Sequence, residues 1–348
     1  MRSQSLVAAL TAAAAAPGFQ GATVLARVVH ERASNQVAFV NVSVSTLWTN
    51  PSKPRPVDQP ALESPVDIQK WLDSMTVDEF RDLTSSSRTQ TQALYGTKVY
   101  ITGRNDTWCE VAVTGQPTPS SDLGYPGWIP CSQVTTDAGQ YGHLQATRPF
   151  AQVKKGPTVG LYRDASLKHK VMDVSFDTRL PETGRTSKAI RVAVPGGGSA
   201  YLARDDAEVY KKASDIPYPT GEDLVETGKI FLGRPYLWGG TSGYAFDCSG
   251  FTHTIYDSHG ITIGRDAGPQ AYFAGHGTPV EREDLRAGDL IFYASNLTDA
   301  ESIYHVAMFA GDGNMLEAYA AGTPTRLTPV RFNDDYWGAE RFLHHHRG

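Results

Sequence analysis

One change of patterning constrains this chain more than any other feature. From about residue 35 to about residue 216, short runs of β-forming residues alternate with turn residues. The strand candidates are "AFVNVSVSTLW", "TKVYITGR", "TWCEVAV" and "GYPGWIP", then "FAQVKK", "TVGLYRD" and "KAIRVAVPGGGSAYLARDDAEV". Strands this short, punctuated by turn residues, close into small barrels or sandwiches. Two helical patterns interrupt the first half. "SPVDIQKWLDSM" has apolar residues at helical spacing, and "TVDEF" offers a Thr76/Glu79 capping box. The simplest reading is two β-barrels in tandem, over 35–138 and 139–216, followed by the Pro/Gly linker "DIPYPTG".

The pattern then changes. Over 217–346, "GEDLVETGKIFLG" predicts a helix with a glycine stop. "DCSGFTHTIYDSHG" predicts a helix that begins near Cys248 and ends at Gly260. Strand patterns follow in "GDLIFYAS", "YHVAMFAGDG" and "MLEAYA", so this segment is α+β. The glycines of "PGGGSAY" have no following Lys-Ser/Thr and no helix start, so they read as a barrel loop and not a phosphate cradle.

A length of 348 residues suits two or three domains. The net charge of −5 argues against a nucleic-acid partner or an anionic membrane surface. No apolar run reaches the ~18 residues of a membrane span. "MRSQSLVAALTAAAAAPGFQGA" has one early Arg, an Ala-rich stretch and then small residues, the layout of a signal peptide over residues 1–24. The alternative is a plain Ala-rich leader. A secreted protein is expected on the first reading, a cytoplasmic one on the second.

The chain has 3 cysteines. Cys109 and Cys131 flank the turn-rich "TGQPTPSSDLGYP". A hairpin centred near residue 120 would set them opposite each other, close enough for a disulfide and consistent with an oxidising compartment. The alternative is two reduced, half-buried thiols. Sequons at Asn41, Asn105 and Asn296 fit export or arise by chance.

Cys248 is then the free thiol. At a helix start it meets unpaired N–H groups and the positive dipole end, which favour thiolate. Gly250 allows close backbone packing, and Ser249 is a helix-start hydrogen bonder. A thiolate nucleophile needs a proton carrier, and His305 on an apolar strand is the candidate. Alone, His305 reads as a satisfied half-buried residue. Glu317, past the "GDGN" turn, is placed to hold the ring, or is a solvated strand charge.

"YLWGGTSGYAFDCSGF", then "RAGDLIFYA", then "HVAMFAGDGNMLEA" resemble the NlpC/P60 cysteine peptidases, which cleave cell-wall peptides. The resemblance implies a papain-like α+β catalytic domain over 217–346, preceded by two SH3-like barrels. "STLWTNPSKPRPVDQPALESPVDIQKW", "QTQALYG" and "GYPGW" resemble one subgroup, the γ-D-glutamyl-L-diamino acid endopeptidases that act on free muropeptides. By that resemblance Cys248 is the nucleophile, His305 the base and Glu317 the third member. Tyr236 and the Cys248 N–H would stabilise the oxyanion. Asp247 and Tyr125 would read a free N-terminal amine, with Trp238 and Ser249 lining the same pocket. Without the resemblance Tyr125 reads as a barrel-core aromatic.

Three positions depart from the family pattern. Glu317 stands where His, Asn or Gln is usual. Ala267 in "RDAGPQ" replaces a serine, which removes a polar contact. Arg88 stands where relatives carry a glutamate, which weakens the case for amine recognition. The expectation is a monomer acting on peptidoglycan fragments, with no cofactor and no metal site, the "LHHHRG" tail being solvated. The alternatives are an amidase or acyl transferase on the same Cys–His core, or a decayed wall-binding protein.

Overall fold

The alternation of strands and turns produces two curled antiparallel sheets, one after the other. A computed structural model describes residues 35–136, 139–273 and 275–344. The signal peptide expected over 1–24 lies outside the described residues. The first sheet contains β1 (Gln36–Val40), β2 (Val44–Trp48), β3 (Thr89–Leu94), β4 (Lys98–Asn105), β5 (Trp108–Val113), β6 (Tyr125–Pro130) and β7 (Val134–Thr135). Their order is β3-β2-β6-β5-β4-β1-β7, around a core that includes Leu47, Val99, Val111 and Ile129. The run "AFVNVSVSTLW" is therefore two strands, broken at Asn41.

Three helices interrupt this sheet: α1 (Gln59–Leu62), α2 (Ile68–Ser74) and α3 (Val77–Ser85). The Thr76/Glu79 capping box forms, with the Glu79 carboxylate accepting from the Thr76 N–H at 2.7 Å. α2 buries Ile68, Trp71 and Leu72 beside Trp48.

The disulfide is present, but not in the register expected. Cys109 pairs across the ladder with Ile129, and Cys131 lies just past the end of β6. The bridge is diagonal, with the two Cα atoms 5.0 Å apart. The turn is centred about one residue earlier than the sequence suggested, which displaces each partner by two positions.

A helix not expected from the sequence, α4 (Gly139–Thr147), leads into the second sheet. Its Tyr141 packs edge-on against Phe39 at 4.9 Å. The second sheet holds β8 (Phe150–Val153), β9 (Thr158–Tyr162), β10 (Lys170–Ser175), β11 (Arg179–Arg185), β12 (Ala189–Ala193), β13 (Ser199–Ala203) and β14 (Ala207–Tyr210). Its order is β10-β9-β13-β12-β11-β8-β14.

The third segment opens with α5 (Gly221–Lys229), capped by Thr220 and Asp223. The short pair β15 (Thr241–Ser242) and β16 (Ala245–Phe246) leads into α6 (Cys248–Ser258) and α7 (Ala267–Tyr272). β17 (Thr278–Val280), β18 (Leu290–Ala294), β19 (Ile303–Gly311), β20 (Asn314–Glu317), β21 (Arg326–Pro329) and β22 (Tyr336–Arg341) form an antiparallel sheet in the order β17-β22-β18-β19-β20-β21. Phe251 and Ile255 of α6 pack with Phe292, Val306 and Leu316 of this sheet.

α6 is held by the β-rich half at its C-terminal end and through the segment that leads into it. In that segment, Thr89 Oγ1 donates to the Trp238 carbonyl at 2.6 Å, and the Gln92 side chain accepts from the Thr241 N–H at 3.2 Å. At its C-terminal end, Gln152 and Lys154 donate to the Ser258 carbonyl at 3.0 and 2.9 Å, and Arg179 pairs with Asp257 at 3.0 Å. Cations at a helix C-terminus offset its negative dipole end.

Candidate active site

Cys248 is the first residue of α6 and is 6 % exposed. Asp247 caps the helix by accepting from the Gly250 N–H at 2.6 Å. Position 250 must be glycine, because a Cβ there would lie 2.0 Å from the Gly240 carbonyl oxygen. Burial pushes the Cys248 thiol up to about 12, and the Asp247 charge adds to this. The Val306 N–H, Arg265 and the Ser249 N–H act in the opposite direction. The helix start alone predicts a resting thiolate, but burial outweighs it here. Val306 follows His305 in the chain and shares a core cluster with Cys248, so the sulfur packs against the strand that carries the histidine.

His305 on β19 and Glu317 on β20 share one face of a hairpin. The register pairs Met308 with Leu316, which puts Glu317 diagonal to His305. His305 Nε2 lies 2.8 Å from Glu317 Oε2. A carboxylate only accepts, so Nε2 carries the proton and Nδ1 is left as the acceptor. Burial lowers the histidine's pKa, Glu317 raises it, and Arg331 and Arg326 lower it again. Both arginines bond Glu317: Arg326 through Oε1 at 2.8 Å, and Arg331 through both oxygens at 2.8 and 2.9 Å. Although Glu317 is buried, which raises a carboxyl's pKa, these partners hold it down to about 2.

Tyr236 is buried close to Cys248, and burial holds its hydroxyl in the protonated form, able to donate. Trp238 is half-buried between the third segment and the helical insert.

The amine-reading pocket differs from expectation. Asp247 is occupied: Arg265 donates to both its oxygens at 3.1 and 2.8 Å, and the Gly239 N–H donates at 2.8 Å. With the Gly250 bond, its roughly four lone-pair positions are filled. It has no acceptor left for an ammonium ion. Ser249 is likewise occupied, accepting from Arg265 at 3.0 Å. Arg265 is 0 % exposed, and its remaining bond goes to Thr91 of β3 at 2.8 Å. Tyr125 does reach this cluster from the first sheet, but its hydroxyl bonds Asp266 at 2.9 Å. The Asp266 side chain is 41 % exposed, with Arg265 Nη1 4.0 Å from its Oδ1. Arg88 lies in a different network, donating to Asp82 at 2.7 Å and to the Lys53 carbonyl at 2.7 Å. Its charge is matched there by Asp82, while the carboxylate expected at this position is absent. Ala267 is buried at the start of α7.

Comparison with known proteins agrees with this geometry. The NlpC/P60 family model matches residues 233–346, and the YKFC SH3b2 domain model matches residues 155–210. A γ-D-glutamyl-L-lysine dipeptidyl-peptidase of Bacillus cereus is 45 % identical over 316 residues, covering 90 % of this chain and 93 % of the relative. The chain belongs to the NlpC/P60 family. A Bacillus subtilis protein of the same name is 38 % identical over 285 residues, covering 80 % of this NlpC/P60 chain and 89 % of the relative. The crystal structure of an NlpC/P60 family protein from Bacillus cereus superposes with a TM-score of 0.82 at 45 % identity, covering 88 % of this chain and 99 % of that one.

Sequence reasoning missed four residues of this NlpC/P60 site: Arg265, Asp266, Arg326 and Arg331. Arg265 and Asp266 stand in the "RDAGPQ" stretch that was read only for its alanine. A buried Asp247 required a cation, and that requirement was the available signal. Arg326 and Arg331 had no signal, because their roles depend on the pairing of β20 with β21.

Proposed function

We propose that this protein is a cysteine peptidase that hydrolyses the amide between γ-D-glutamate and a diamino acid in peptidoglycan-derived peptides. The observation that carries the reading is Cys248 at the start of α6, packed in one cluster with Val306 of the strand that carries His305, whose Nε2–H is tied to Glu317. The names of the two Bacillus relatives supply the substrate class.

The resting pair is a neutral thiol and a neutral imidazole. As sulfur attacks the scissile carbonyl, His305 Nδ1 takes the thiol proton. The Cys248 N–H and the Tyr236 hydroxyl face the developing oxyanion. The C–N bond breaks, His305 protonates the leaving amine, and a thioester remains. Water, deprotonated by the same imidazole, cleaves the thioester and restores the thiol. A free L-Ala amine is read by Asp266 with Tyr125, while Asp247 and Ser249 act indirectly by holding Arg265. Export is supported by the Cys109–Cys131 bridge, since disulfides persist in oxidising compartments.

Mass spectrometry of the protein with L-Ala-γ-D-Glu-diamino acid tripeptides tests the reading. The expected products are the L-Ala-γ-D-Glu dipeptide and the free diamino acid, with none from Cys248→Ala. Unchanged tripeptide would return the decayed wall-binding reading. Cleavage elsewhere, or transfer to an added amine, would return the amidase or acyl-transferase reading.

A further inference from the structure

Glu317 has more partners than ring orientation requires. It is fully buried, yet five N–H donors converge on its two oxygens. Arg326 bonds Oε1 through Nε and Nη2 at 3.0 and 2.8 Å. Arg331 spans both oxygens and so shares Oε2 with His305. The same guanidiniums lie over the flanking rings. Arg331 is 4.8 Å from the centroids of both Tyr293 and Tyr319, and Arg326 is 5.0 Å from Tyr319. Those rings pack the imidazole at 5.6 and 5.4 Å.

We propose that Arg326 and Arg331 are positioning residues for catalysis: they clamp Glu317 so that it orients His305 without fixing it as a resting imidazolium. The inference rests on the cysteine-peptidase reading. A lone buried carboxylate 2.8 Å from an imidazole would favour the protonated ring. A permanently protonated His305 cannot accept the thiol proton. With two guanidiniums bound, the group around a neutral His305 already carries one net positive charge, and protonation would make it two. Glu317 therefore keeps its directional bond to Nε2, while burial and the two arginines oppose its pull on the proton.

The charged and titratable groups facing His305 fit this account. Among the described residues they are Tyr293 from β18, Glu317 from β20, Tyr319 after it, Arg326 from β21 and Arg331 after that, with Cys248 of α6 packed in one cluster with the neighbouring Val306. Asp335 takes the Tyr304 hydroxyl and acts on Tyr293, while Asp247 is matched by Arg265.

The test is the titration of the His305 ring by NMR in a Cys248→Ala background, which needs no turnover. If the protein hydrolyses nothing, the reaction assigned above fails and this measurement still stands. Arg326→Gln/Arg331→Gln should raise the His305 midpoint by about one unit or more, since each guanidinium removed is a nearby cation. Glu317→Gln should lower it, because two unmatched cations remain. Arg331→Lys keeps the charge and should hold the midpoint near that of the parent. In the active protein, the double variant should move the acidic limb of the kcat/KM profile upward by a similar amount, because His305 must be neutral to accept the thiol proton. If the double variant is unstable, Arg326→Gln alone serves, because that side chain is 39 % exposed; a rise of a few tenths is then expected. An unchanged or lowered midpoint in either variant overturns the proposal, as does equal behaviour of Arg331→Lys and Arg331→Gln.

Discussion

Asp266 and Asp247 are two carboxylates of one cluster in opposite situations. Asp247 is saturated by Arg265 and backbone donors, while Asp266 accepts from the Tyr125 hydroxyl, lies 4.0 Å from Arg265 and keeps a side chain 41 % exposed. On the proposed reading, the substrate ammonium meets Asp266. Asp266→Asn should lower kcat/KM on free-amine tripeptides by about 30-fold, the low end of what losing one partner of a desolvated charge pair costs. N-acetylated tripeptides should be poor substrates of the parent and little changed by the variant. Equal loss on both substrates would show that Asp266 serves the fold and not the amine. Glu317 carries a second expectation. Its folded pKa is about 2, below the ordinary 4.5. Its contribution to stability is thus complete above about pH 4.5 and is lost as pH falls toward 2. Urea midpoints measured between pH 5 and pH 3 should fall more steeply in the parent than in Glu317→Gln; parallel slopes would contradict the clamp.

Among the elements, the β5–β6 hairpin is tied at its open end by the Cys109–Cys131 bridge, which closes a loop across a sequence separation of 22. Chain-entropy arguments give such a loop about 3 kcal/mol. Cys131→Ser should lose about that much in urea unfolding, with activity on tripeptides retained under native conditions because the bridge lies apart from Cys248. A loss below about 1 kcal/mol would mean that the ladder alone holds the hairpin. α6 shows a different dependence. Its N-cap is local and legible in "DCSG", whereas its C-terminal carbonyls are satisfied by Gln152, Lys154 and Arg179, residues about a hundred positions earlier.

At the scale of the molecule, the described residues form one compact unit. Polar bonds from the second sheet reach the helix that carries Cys248, and those from the first reach the flanking Trp238, Thr241 and Arg265, so the third segment is expected to unfold together with them. Tryptophan fluorescence and far-UV circular dichroism should report one coincident transition. Arg179→Ala removes the cation between Asp177 and Asp257 and should cost about 3 kcal/mol, separating the two signals. Two transitions in the parent would show that the sheets merely abut the catalytic segment. Much of this was present in the order of residues. Strand-and-turn alternation specified two curled sheets, "DCSGF" specified a helix with cysteine first, and twelve residues from His305 to Glu317 across a glycine turn specified a shared hairpin face. These are local rules, in which period, cap and turn act within a few positions. The partners of the charges were not present in that order. Which cation neutralises Asp247, which carboxylate stays open beside Tyr125, and how many arginines meet Glu317 depend on loops that approach one another only after β3, α7 and β21 have packed. Burial also reverses the local expectation for Cys248, because desolvation is a property of everything around a group and a helix start is a property of its neighbours alone.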